Sequence, residues 1–140
     1  ATAAVEEACA GKLRHVQSHQ NDPLSGRAAS TVIAILREEG LVERASQMGA
    51  YLLAGLQKLQ ASHPAIREVR GRGLMAAIEL QEGLGEPGAR VYGLLFEKGI
   101  ILDYQPHFLN FRFFPAYVID ESDIDRALEA MDDALSREGI

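Results

Sequence analysis

Residues 66–80, IREVRGRGLMAAIEL, decide the fold. Leu74, Ala76, Ile78 and Leu80 recur at every second position and fall on one face of an extended strand. Ile66 to Arg70 is a shorter strand candidate just ahead of it. Between the two, Gly71-Arg72-Gly73 sets two glycines around one residue, the composition of a sharp backbone turn or bulge. As a nucleotide signature the pair fails, because no third glycine follows and the next element is a strand rather than a helix.

Upstream of this stretch the apolar period is helical. Ala1 to Ala10 is Ala-rich and short, and Gly11 closes it. Residues 12–21, KLRHVQSHQN, are polar and aperiodic and read as a loop. Asp22 then suits an N-cap and Pro23 the first helical position. Leu24, Ala28, Ala29, Val32, Ile35 and Leu36 follow the period up to Gly40, a natural stop. A second helix is expected from Leu41 to Gln60, with Leu41, Ala45, Met48, Leu52, Leu56 and Leu59 in one stripe and His63-Pro64 as its end.

Downstream, Gln81 to Gly88 carries three glycines and Pro87 and reads as a loop. Ala89 to Lys98 is expected to be a helix closed by Gly99, Ile100 to Leu102 a short strand, and Asp103 to Phe108 another loop. Asn110 to Phe114 is a strand that Pro115 stops, with Phe111 and Phe113 on one face and Arg112 and Phe114 on the other. Asp120 caps the last helix, with Asp123 three residues on, and Ile124, Leu128, Met131 and Leu135 form its buried stripe. Strands joined by short turns, with helices set to one side, predict an α+β two-layer domain with a mainly antiparallel sheet of three or four strands and the helices on one face.

The totals narrow the function classes. At 140 residues the chain has the size of one domain with a real core. Its net charge is −6, and without a basic run it is a poor nucleic-acid partner. The longest apolar runs are far too short to span a membrane. Cys9 is the sole cysteine, which suits a reducing, cytoplasmic compartment. The first fifteen residues hold Glu6 and Glu7 and no apolar core, unlike a signal peptide. The chain opens on Ala, as a processed product or a piece of a longer protein does.

No catalytic set is complete. The four histidines, at 15, 19, 63 and 107, lack the convergence and partner cysteines of a zinc site. The serines lack the Gly-x-Ser-x-Gly setting of an activated nucleophile. Of the three lysines, Lys58 and Lys98 sit at solvated helix positions and Lys12 lies in a loop, so none reads as a desolvated amine ready to bond a carbonyl. Two places remain. Arg112 is a fixed charge among aromatics and needs an anion, either an internal carboxylate or that of a substrate. Ser18 to Pro23 places a hydroxyl and several N–H groups ahead of a helix N-terminus, which serves either plain capping or anion binding, phosphate above all.

Five motifs in order resemble the C-terminal part of the class III, pyridoxal-phosphate-dependent aminotransferases, from about His15 to Leu135. They are His15-x-x-Ser18-x-x-x-Asp22-Pro23, Glu39 to Ala45, Val69 to Met75 with Ile78-Glu79, Glu97 to Ile100, and Asn110 to Pro115 followed by Val118-Ile119. The resemblance implies that the Ser18 hydroxyl reaches the cofactor phosphate of the neighbouring subunit in a homodimer. It implies that Arg112 receives the carboxylate of an amino-acid substrate, with an internal carboxylate holding it when the site is empty. The implied chemistry moves an amino group from an amino donor to a keto acid or aldehyde.

The family often has Pro-Pro after the arginine. Here it is Pro115-Ala116, which leaves Arg112 in place. The family's large domain, with its Schiff-base lysine, the aspartate on the pyridine nitrogen and the phosphate-binding glycines, has no counterpart in these residues. Residues 1–21 are accordingly expected to lead from that domain, and residues 22–140 to be the small C-terminal domain, inactive alone. Decarboxylating or aminomutase members, such as dialkylglycine decarboxylase-like enzymes, share these motifs. A stand-alone ferredoxin-like module that binds amino acids is the alternative of a different class.

Overall fold

The computed structural model describes residues 2–10 and 22–140. They divide into two compact units, residues 2–10 with 22–38 and residues 39–140.

The first unit holds two helices, α1 (Ala3–Cys9) and α2 (Pro23–Glu38). Asp22 begins α2 as its composition requires, its carboxylate accepting from the N–H groups of Leu24 and Ser25 at 3.1 and 3.3 Å. No residue of α2 is buried.

The second unit contains the core. Its elements are α3 (Leu41–Ser62), β1 (Ile66–Arg72), β2 (Met75–Leu80), α4 (Gly85–Glu97), β3 (Asp103–Gln105), β4 (Asn110–Phe113) and α5 (Glu121–Glu138). The four strands form one sheet in the order β1-β2-β4-β3, and every neighbouring pair is antiparallel. β2 and β3 therefore run parallel with β4 between them, joined over α4 in a split β-α-β unit. This is the α+β domain expected from the period change.

Register explains the two faces. Ala76 pairs with Phe113 and Ile78 with Phe111, while Ala77 pairs with Arg112 and Glu79 with Asn110. Ala76, Ile78, Leu80, Phe111 and Phe113 join Leu52, Leu56 and Leu59 of α3, Val91 and Leu95 of α4, and Ile124, Met131 and Leu135 of α5 in one core. Burial of such side chains is worth about 1.5–3 kcal/mol each before chain entropy is charged against it.

Gly73, with φ +55°, turns β1 into β2. A methyl group on Gly49 would lie 2.2 Å from the Gly73 carbonyl carbon, so α3 packs backbone to backbone on that turn. The glycine pair thus serves a turn and a close approach. His63 ends α3 buried, its Nδ1 2.8 Å from the Ile140 carbonyl oxygen and its Nε2 2.8 Å from Asp132 Oδ1, which ties α3 to the end of α5.

Two sequence expectations need correction. Gly85 to Gly88, read as loop, is the first turn of α4. Proline is tolerated there because the first-turn N–H groups have no helical partner. Gly88 is also buried, and a Cβ on it would sit 2.6 Å from the Tyr104 hydroxyl. The third strand is Asp103–Gln105 rather than Ile100 to Leu102, and Ile100 instead packs into the core. Pairing with β4 decides this, since it sets Asp103 opposite Arg112 and Tyr104 opposite Phe111.

Candidate functional site: an arginine on the outer face of the sheet

Arg112 projects from β4 on the face opposite the core. Phe111 and Phe113 on either side of it are 0% and 4% exposed and lock the strand, so the guanidinium starts from a rigid base. Its cross-strand partner on the edge strand is Asp103, and Arg112 Nη2 forms an ion pair with Asp103 Oδ2. Asp103 Oδ1 accepts from Gln105 Nε2 at 2.8 Å. The hydrogen bond from Gln105, followed by the Arg112 charge, holds the Asp103 carboxyl below the usual carboxylate range. The Phe114 ring lies against the guanidinium, 5.5 Å from its carbon to the ring centre.

The arginine is not sealed. Its side chain is 42% exposed. It lines an open cleft of about 630 Å³ together with Ile101, Leu102, Phe114 and Pro115 of the strand ends and Ile124 and Ala127 of α5. The loop along this cleft is held by Arg44 of α3, which donates to the Ile119 carbonyl at 2.6 Å. The arrangement is a part-exposed cation in the lining of a mostly apolar cleft, which Asp103, Asp123 and Arg126 also line, and a guanidinium so placed suits a carboxylate attached to a carbon skeleton.

Two buried polar atoms on β4, Arg112 Nε and Asn110 Oδ1, have no hydrogen-bond partner among the described residues. Farther across the same face, Glu79 is ion-paired with Arg70 and Arg67. Hydrogen bonding from Arg70, then the charges of both arginines, holds its carboxyl below the usual range. This network engages both arginines internally, and neither lines the cleft, whereas Arg112 and its partner Asp103 do.

Ser18 lies outside the described residues, as do Lys12, His15 and His19. The described lysines are engaged elsewhere: Lys98 pairs with Asp133, and Lys58 borders a groove between α3 and α5. Neither lines the cleft at Arg112. The described residues thus set a part-exposed guanidinium, paired with Asp103, in the lining of this cleft, and neither described lysine stands beside it. Asp103 and Gln105 escaped sequence reading because Asp-Tyr-Gln-Pro looks like a loop. The legible signal was Tyr104, one apolar ring between two polar residues at period two.

A small α+β domain with a part-exposed arginine in the lining of an open cleft is what the fold and the described residues define. The family model described as aminotransferase class-III matches residues 1–135, and the chain belongs to that family. It is 31% identical over 122 residues to the acetylornithine aminotransferase of Caldanaerobacter subterraneus subsp. tengcongensis, covering 87% of this chain and 30% of that protein. It is 35% identical over 115 residues to the ornithine aminotransferase of Halalkalibacterium halodurans, covering 82% of this chain and 27% of that protein. A solved aminotransferase structure from Bacillus anthracis superposes with a TM-score of 0.84 at 25% identity, over 97% of this chain and 34% of that one. The chain thus spans about a third or less of the length of these relatives.

Proposed function

We propose that this chain is the small C-terminal domain, residues 22–140, of a pyridoxal-phosphate-dependent aminotransferase, with residues 1–21 leading from a large domain. That enzyme moves an amino group from an amino acid or amine to a keto acid or aldehyde. Arg112 receives the substrate carboxylate, and the observation that carries this role is its placement: a part-exposed guanidinium, paired with Asp103, in the lining of a mostly apolar cleft. The names of the relatives favour amino-group transfer over decarboxylation, aminomutase chemistry or stand-alone binding.

The remaining roles are proposed by analogy with the family. Pyridoxal phosphate and the lysine that bonds it belong to the large domain, so the 140-residue chain alone is inactive. Ser18 reaches the cofactor phosphate of a second subunit, and the working form is a cytoplasmic homodimer. Among the described residues, no helix is long and apolar enough to cross a membrane.

The test uses the complete, cofactor-loaded protein. Amino donors should shift its cofactor absorption band. Arg112→Ala should raise KM for an amino-acid donor by about 10- to 150-fold, the loss expected for a charge-assisted hydrogen-bonded contact. An unchanged KM would remove Arg112 from the substrate site.

A further inference from the structure

We propose that Asp103 is the positioning residue for Arg112, and that Gln105 holds Asp103 in turn. The inference rests on the reading of Arg112 as the carboxylate receptor and adds the device that aims it.

β3 is only three residues long and lies at the edge of the sheet, yet its two outward side chains form a chain of contacts. Asp103 and Gln105 are two residues apart and share a face, and on β4 their partners Arg112 and Asn110 are likewise two apart. The Asp103 carboxylate divides its oxygens. Oδ1 accepts from Gln105 at 2.8 Å, and Oδ2 faces Arg112 Nη2. A carboxylate shared in this way is oriented before any ligand arrives. The guanidinium is then restrained from two directions, by Asp103 across the strand pair and by the Phe114 ring at 5.5 Å.

Arginine has five N–H donors; Nε is buried and Nη2 faces Asp103, but the side chain is 42% exposed, so Nη donors remain open to a ligand. A second possibility is that Asp103 competes with the incoming carboxylate for the same guanidinium. The division of its oxygens argues against that. A competitor would match the guanidinium fork with both oxygens, whereas one oxygen of Asp103 is committed to Gln105. Holding a long, flexible side chain in its binding rotamer removes an ordering cost that each substrate would otherwise meet.

The two possibilities predict opposite signs. In the complete, cofactor-loaded enzyme, Asp103→Asn should raise KM for an amino-acid donor by about tenfold, the scale of one freed long side chain. The reference is KM for a primary amine without a carboxylate, and the ratio of the two should rise while kcat for the amino acid holds. Gln105→Ala should move the ratio the same way by less, and Asp103→Glu should restore it in part. Adding Asp103→Asn to Arg112→Ala should raise KM no further, because Asp103 acts through Arg112. A lower or unchanged ratio in Asp103→Asn, or a further rise in the double variant, overturns the proposal. If Arg112→Ala itself leaves the ratio unchanged, the failure belongs to the reading of Arg112 and not to its support.

Discussion

On the inner face of the sheet, Ile78, Leu80 and Phe111 are fully buried; on the outer face, one residue along the same strands, Glu79 and Arg112 meet water. The backbone is shared, and only the two-residue period separates core from site. Aromatic mass inside makes β4 stiff, and that stiffness lets a single charge outside be aimed. The inner face is therefore judged by unfolding and the outer face by ligand response.

The sharpest way to break this contrast is Phe111→Ala. Phe111 is fully buried and stacks on Tyr104 with ring centres 4.6 Å apart, so truncation should cost about 3–5 kcal/mol in denaturant unfolding. A loss under about 1 kcal/mol would mean that the core collapses around the gap more readily than close packing allows. Tyr104→Phe is milder. It keeps the ring stack but deletes the hydrogen bond from the hydroxyl to the Gly85 carbonyl at 3.0 Å, at a cost of about 1 kcal/mol in the same measurement. No change would show that water satisfies Gly85 equally well.

The smallest effect belongs to the outer face. Glu79→Gln should change stability little at neutral pH, because half-exposed ion pairs contribute at most about 1 kcal/mol. Its signature is in acid. The paired carboxyl is held below its ordinary range, so its contribution is complete above that range and disappears as pH falls through the lowered value. Melting temperature plotted against pH should therefore fall less steeply in acid for Glu79→Gln than for the natural chain. Parallel curves would show that the arginines beside Glu79 do not sense its ionisation.

Local signals were legible wherever one residue settles one geometry. Asp22 and Asp120 cap as their positions suggest, the latter accepting from the Asp123 N–H at 3.0 Å, and Gly40 and Gly99 take positive φ at helix ends. The period change at Ile66 to Leu80 sufficed for an α+β sheet. Gly85 to Gly88 misled because glycine and proline mark loops on average, while first-turn tolerance and the Tyr104 contact depend on what packs there. Asp103–Gln105 misled for a related reason, since a three-residue edge strand exists only through its pairing with β4.

For the candidate site, the sequence by itself determined that Arg112 is a permanent charge on the face of β4 away from Phe111 and Phe113, and that it requires an anion. Chain alternation and the basicity of guanidinium are enough for that. Which anion meets it was decided by tertiary structure alone. The order β1-β2-β4-β3 brings Asp103 beside Arg112 from nine residues earlier in the chain, and antiparallel register sets the two face to face. Composition carries no term for pairing between strands, so the partner of the charge could be seen only once the sheet was closed.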